Sequence, residues 1–171
     1  LRLARELAGS DPARATALLE QLGNDIEVAL EELRELAHGI YPPLLADRGL
    51  PEALSAVAAR ASIPTRVEPE AVGRYPPQVE ATVYFCCLEA LQNAGKHAGE
   101  AASARVRIWE KQGALVFEVS DDGVGFDPSA GRRGTGLTNM TDRLGAIGGS
   151  LRIESSRDPG TRVTGTIPLR G

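Results

Sequence analysis

The sequence predicts an α/β protein, a two-layer α/β sandwich preceded by a helical dimerisation segment. Three observations predict it. An apolar seam spaced by threes and fours runs through the first forty residues. A long helical stretch is then followed by two segments of alternating polarity. Glycine-rich turns set off a last helix and a closing pair of strands.

Composition narrows the function classes. With 171 residues, 42% of them hydrophobic, the chain can bury one ordinary domain and a helical extension. Its net charge of -4 and scattered basic residues, apart from the pair Arg132 and Arg133, exclude a direct nucleic-acid binder, which needs a basic face. No apolar run approaches the ~20 residues that cross a bilayer, and no signal-peptide pattern opens the chain. The expectation is a cytoplasmic protein, joined to a membrane only through segments upstream. The chain opens Leu1-Arg2-Leu3-Ala4-Arg5-Glu6-Leu7, without an initiator Met, and reads as a piece of a longer protein. Cys86 and Cys87 are adjacent in an apolar helical stretch. Neighbouring cysteines suit neither a disulfide nor a zinc site, so buried free thiols are expected.

The elements follow in order. Residues 1–43 form part of a helical hairpin whose second helix spans about 12–40. Asp11 caps that helix and Pro12 takes its first position. Leu19, Leu22, Ile26, Ala29, Leu33, Leu36 and Ile40 make an unbroken a/d seam, which one hairpin cannot bury alone. A homodimer through this helix, as a four-helix bundle, follows. Gly39 and Pro42-Pro43 stop the helix. Residues 44–171 make the second domain: a turn at 44–50, a short helix at 51–61 and a brief strand at 65–68. A long helix at 76–98 has a core face that includes Val79, Val83, Leu88 and Leu91. Strands at 104–109 and 115–119 turn around Gly113, and a glycine-rich loop covers 122–136. A helix at 137–147 ends at Gly148-Gly149, and strands at 151–154 and 162–167 turn through Asp158-Pro159-Gly160.

Four segments carry chemistry together. In the long helix, Glu89, Asn93 and His97 share one face at a spacing of four, with Lys96 beside them. A polar stripe among Leu88, Leu91 and Ala94 is costly to bury and suits a cavity. The Asn93 amide oxygen is a hard donor for Mg²⁺, and Lys96 offers a point charge to phosphate. After a strand comes Asp121-Asp122-Gly123-Val124-Gly125-Phe126. Asp121 can accept from an exocyclic amine, and Gly123 and Gly125 let backbone approach a ligand. Gly134-Thr135-Gly136-Leu137 opens a helix, where backbone amides suit an anion. Gly160-Thr161 sits between the last strands and can present the Thr161 hydroxyl to the same pocket. Each segment alone also reads blandly: a solvated helix face, an Asp-Gly turn, a helix start, a hairpin turn.

In this order the four segments resemble the GHKL superfamily, which unites gyrase-type enzymes, Hsp90 chaperones, MutL-type mismatch-repair ATPases and histidine kinases. The resemblance runs from about residue 76 to 169 and implies a Bergerat-type ATP-binding fold. It implies Asp121 at the base of an adenine pocket, Asn93 holding Mg²⁺, and Gly134, Gly136 and Leu137 at the phosphates. Thr161 would support the adenine end beside Gly123 and Gly125. A lid over residues 126–133 would close over ATP. Glu89 would orient or deprotonate the attacking group, with Lys96 assisting in charge neutralisation.

The region before the pocket is similar to one subgroup of sensor histidine kinases, paired with response regulators that carry helix-turn-helix output domains. The likeness rests on Leu33 through Leu45, on Asp47-Arg48-Gly49-Leu50, and on Leu137-Thr138-Asn139-Met140-Thr141-Asp142-Arg143-Leu144. It implies phosphoryl transfer from ATP to a histidine, then to an aspartate of a response-regulator receiver domain. In that subgroup the acceptor histidine lies on the first hairpin helix, of which residues 1–7 are the tail and hold no histidine. The acceptor is therefore expected upstream, with His38 at a helix end as a linker histidine. An anti-sigma-factor type serine kinase and a non-catalytic dimeric scaffold are the alternatives. The heptad helix speaks against the first, and the intact Asn93, Asp121 and glycines against the second.

Overall fold

Proline marks the starts of three helices in the computed structural model, which describes residues 12, 14–16, 19, 42–126, 135–155 and 160–169. The chain forms two units, Leu1–Tyr41 and Pro42–Gly171. In the first, the described residues 12, 14–16 and 19 are helical, and the Thr16 hydroxyl donates to the Pro12 carbonyl at 3.0 Å. Beyond Leu19 the predicted seam lies outside the described residues.

The second unit begins with α1 (Pro43–Arg48), which has proline at its first turn and Gly49 at its C-cap with φ 79°. The sequence reading made 44–50 a turn. Pro43 instead presets a helical φ, and the left-handed Gly49 ends the helix after six residues. Helix α2 (Leu50–Ala58) follows at once and buries Leu50, Ala53, Leu54 and Val57. Helix α3 (Pro77–His97) carries Glu80 in its first turn and Lys96 and His97 in its last, which suits the helix dipole at both ends. Its buried residues include Thr82, Val83, Phe85, Cys86, Cys87, Ala90, Leu91 and Ala94, while Val79 and Leu88 are half-buried. Of the predicted core face, Val83 and Leu91 are thus fully buried, and α3 packs against the sheet, α2 and α4 at once.

Strands β1 (Thr65–Glu70), β2 (Ala104–Lys111), β3 (Ala114–Asp121), β4 (Ser150–Ser155) and β5 (Thr161–Pro168) form one mixed sheet in the order β1-β2-β3-β5-β4. Only β1 and β2 are parallel. Gln112 and Gly113 turn β2 into β3 with φ 53° and 75°, the left-handed pair that a two-residue hairpin requires. On one sheet face Val106, Ile108, Leu115, Phe117 and Ile167 are buried beneath the helices. Phe117 lies across Gly165 of β5, where an added Cβ would strike the ring. Helix α4 (Thr135–Gly145) starts two residues earlier than predicted, so Gly136 and Leu137 sit inside its first turn. It buries Met140 and Leu144 against the neighbouring elements.

One buried charge ties the first helices together. Glu80 has no exposed surface, yet the guanidinium of Arg74 donates to it at 2.8 and 3.2 Å and the Tyr75 N–H at 3.1 Å. The same guanidinium donates to the Ala46 carbonyl at 2.9 Å, at the open end of α1, and its side chain passes over Gly49. Replacing Glu80 by Gln removes the charge that holds Arg74. Breaking a buried pair costs about 3–5 kcal/mol, and Arg74 is half-exposed and able to regain water, so a loss of about 2–3 kcal/mol in urea unfolding is expected.

Both cysteines are buried and free. Burial pushes the Cys86 thiol up to about 12 and the Cys87 thiol well above its ordinary value. Thiolate is the reactive form, so iodoacetamide at pH 8 should leave both unmodified in the native chain and alkylate both in denaturant. The unfolded thiols ionise near pH ~8.5 while the native ones stay protonated. Stability should therefore fall as pH rises above that value, which unfolding at pH 8 and pH 10 will measure.

Candidate functional site

The last residue of β3 begins the site. Asp121 Oδ1 accepts the N–H of Gly123 at 3.0 Å and the N–H of Thr161 at 3.3 Å. One carboxylate oxygen thus closes the turn after β3 and holds the start of β5. Among the described residues nothing donates to Oδ2, and this oxygen can accept from a ligand. Gly160 precedes Thr161 with φ 83°, and a Cβ there would run into the Asp121 carbonyl. Glycine is required at this position for both reasons.

These groups floor a cavity of about 380 Å³, within the size range of small-molecule sites. Helix α3 and its C-cap supply Ala90, Ala94 and Ala98 at a spacing of four, with Asn93 and His97 beside them. Val119 and Val163 line the sheet side, Gly125 and Phe126 the loop side, and Gly136 and Leu137 the start of α4. Small alanines from the helix side and valines from the sheet side make an apolar slot. Such a slot fits a planar ring, and Asp121 at its floor fits a ring that carries an N–H donor.

Of the residues chosen from sequence, Asn93, Asp121, Gly125, Gly136, Leu137 and Thr161 come together around this cavity. Gly123 does not line it; its α-carbon packs against Ala98, so close that a Cβ would collide with the Ala98 carbonyl. Glu89 is half-buried and does not line it either. Its carboxylate lies against the first turn of α4, where a Cβ on Gly136 would meet Oε1. Lys96 is exposed and lies outside the wall, and His97, one residue on, takes the wall position. Helical rotation of about 100° per residue turns Lys96 off the face that the spacing of four gives to Asn93 and His97. Gly134 and residues 127–133 of the predicted lid lie outside the described residues.

Sequence reading missed Ser155 at the end of β4. Its hydroxyl accepts the Phe126 N–H at 2.9 Å, donates to the Gly160 carbonyl at 3.2 Å and meets the Thr161 hydroxyl at 3.0 Å. No motif signals it: two of the contacts cross the β4–β5 turn, and the third, to Phe126, comes from the distant loop after β3. Among the described residues no cluster of three or more His, Cys, Asp or Glu could hold a metal. Asn93, half-buried on the cavity wall, offers an amide oxygen that fits a hard cation sharing its other positions with anionic oxygens and water. No described helix is long and apolar enough to cross a membrane.

Comparison with known proteins gives the same region a context. Residues 78–171 match the family described as histidine kinase-, DNA gyrase B- and HSP90-like ATPase. The sensor histidine kinase MctS of Rhizobium johnstonii is 32% identical over 181 residues, which cover 98% of this chain and 39% of MctS. The signal transduction histidine-protein kinase/phosphatase UhpB of Salmonella typhimurium is 37% identical over 89 residues, 52% of this chain and 17% of UhpB. The chain therefore spans well under half of these relatives. Among solved structures, the blue-light activated histidine kinase of Erythrobacter litoralis EL346 superposes with a TM-score of 0.62 at 24% identity. The superposition covers 70% of this chain and 42% of that one, and it speaks to the fold alone.

The close approach at Gly160 yields a direct test. Gly160→Ala must adopt a left-handed φ and push the Asp121 backbone aside, which should cost about 2–3 kcal/mol. Denaturant unfolding measures the loss, and an unchanged midpoint would contradict the contact.

Proposed function

We propose that this chain, which belongs to the family of histidine kinase-, DNA gyrase B- and HSP90-like ATPases, is the ATP-binding catalytic part of a sensor histidine kinase. The observation that carries the reading is Asp121: a carboxylate in a largely apolar slot, with one oxygen fixed and the other without a donor among the described residues. Adenine matches it, with a planar ring for the alanine and valine walls and an exocyclic amine for Oδ2.

The residues then divide the work. Asp121, supported by Thr161, Gly123 and Gly125, holds the base. Gly136 and Leu137 turn backbone N–H groups at the start of α4 toward the phosphates, and Gly134 belongs with them. Asn93 would hold Mg²⁺, which supplies neutralisation of triphosphate charge. Lys96, exposed past the cavity wall, adds positive charge at the phosphate end, and Glu89 beside the α4 start acts as the base. In the complete protein the γ-phosphoryl group passes to a histidine nitrogen, ADP departs, and the group moves on to an aspartate of a response-regulator receiver domain. Homodimerisation through the heptad helix would bring acceptor and catalytic domain together. The serine-kinase alternative gains nothing from the relatives, whose names are those of sensor histidine kinases.

Calorimetric titration with ATP and Mg²⁺ tests this reading. The native chain should bind ATP, and Asp121→Asn should weaken binding by about a hundredfold, because it swaps an acceptor for a donor at the amine. Asn93→Ala should bind ATP with little response to Mg²⁺. No binding by the native chain would overturn the proposal.

A further inference from the structure

The register of β2 and β3 ends at Ala104 and Asp121, and the next pair, Ser103 and Asp122, is only half made by backbone. The Asp122 N–H donates to the Ser103 carbonyl at 3.2 Å, as an antiparallel pair requires. The return bond is different: the Ser103 N–H goes to Asp122 Oδ1, where a ladder would offer the Asp122 carbonyl. The Ser103 hydroxyl donates to Oδ2 at 2.8 Å, so both carboxylate oxygens hold one residue. The bond from the Ser103 N–H, and after it the bond from the hydroxyl, hold the Asp122 carboxyl below its ordinary value. Released from the ladder, the chain turns at once toward the end of α3. The Gly123 α-carbon packs against Ala98, and the Val124 N–H donates to the Ala98 carbonyl at 3.0 Å. Ala98 is the C-cap of α3 and lines the cavity.

We infer that Asp122, exposed and outside the cavity lining, is a positioning residue of the nucleotide site: through Ser103 it aims Asp121 and holds the turn after β3 on the end of α3. This rests on the adenine reading given above. Successive strand residues point to opposite faces, so the direction of Asp122 sets that of Asp121. Asp121 Oδ1 is tied to the turn itself by the Gly123 N–H, and a rotation of the turn carries the carboxylate with it. A small misplacement of a group that must meet a ligand is read as lost affinity. The task needs acceptor geometry rather than charge. An amide oxygen also accepts the Ser103 N–H, and its NH₂ can donate to the Ser103 hydroxyl.

Asp122→Ala loses both bonds and should weaken ADP binding by about tenfold. Asp122→Asn should restore most of that loss. Ser103→Ala removes the hydroxyl bond alone and should cost about threefold, and adding it to Asp122→Ala should cost nothing more, because the two residues act as one unit. The Asp122→Ala factor should be the same with and without Mg²⁺, since the disturbance lies at the base end. A role in folding alone would lower the unfolding midpoint and leave the affinity of the folded chain unchanged.

Calorimetry with ADP on the full chain, well below each variant's unfolding temperature, tests this, with Asp121→Asn as the control on the pocket. Native-like affinity in Asp122→Ala, a loss in Asp122→Asn as large as in Asp122→Ala, or additive losses in the double variant would each overturn the inference. ADP binding that depends on Asp121 would in those cases leave the function standing. If the native chain bound no ADP, or Asp121→Asn bound as well as native, the adenine reading itself would fall and this inference with it. If Asp122→Ala does not fold, Ser103→Ala decides: a threefold loss supports the inference and an unchanged affinity overturns it.

Discussion

Helix α3 meets the sheet through side chains that shrink toward its C-terminal end, and the gap that this leaves is the site. Around its N-terminal half Val83, Phe85, Cys86 and Cys87 are buried in close packing. Further on, Ala90, Ala94 and Ala98 are too small to reach Val119 and Val163, and the space between them stays open. On the scale of core cavities, about 24 cal/mol per Å³, a dry void of 380 Å³ would cost about 9 kcal/mol, as much as a whole domain's stability. A packing defect of that size would not persist. The gap is sustainable because Asp121, Asn93, His97 and Thr161 keep it polar enough to hold water until a ligand replaces it.

Two carboxylates show how the same chemistry serves structure in one place and recognition in another. Glu80 has both oxygens engaged, one by the Arg74 Nε and the Tyr75 N–H and the other by the Arg74 Nη2, and has no exposed surface. It is closed, and its work is to tie α1 to the first turn of α3. Asp121 lines the cavity and spends one oxygen on the backbone of Gly123 and Thr161, while among the described residues nothing donates to the other. The fixed oxygen positions the free one. Binding sites need this combination, because an acceptor that is held in place loses little freedom when a ligand arrives.

Much of this was legible in the residues, and the limits of legibility have physical causes. The strands of the second domain, the hairpin at Gly113 and the long helix follow from periodicity and turn chemistry, which are local. The cavity residues Asn93, Asp121, Gly136 and Thr161 were legible because short motifs marked them. Glu80 was not: a glutamate in the first turn of a helix reads as a dipole partner on the surface, and only the return of Arg74 past Gly49 makes its burial possible. Ser155 was not, because its three partners converge from the loop after β3, the turn before β5 and β5 itself. The spacing of four already put His97 on the face of Asn93, and both line the wall, while Lys96 beside them does not.

The glycines of the site answer a different constraint from its apolar wall, and the difference predicts which can vary. At Gly123, Gly136 and Gly160 an added Cβ would strike the Ala98 backbone, the Glu89 carboxylate or the Asp121 backbone. Backbone does not rotate away, so Gly123 and Gly160 admit no other side chain without moving a helix end or a strand. Gly136 meets the end of a flexible side chain and has more latitude, at the cost of shifting Glu89 from the α4 start. The wall asks only for size: any small residue at 90, 94 and 98 leaves the slot open, and any β-branched residue at 119 and 163 closes its far side. A chain can therefore change most of its core and keep this site, provided that the few points where backbone passes backbone are left alone.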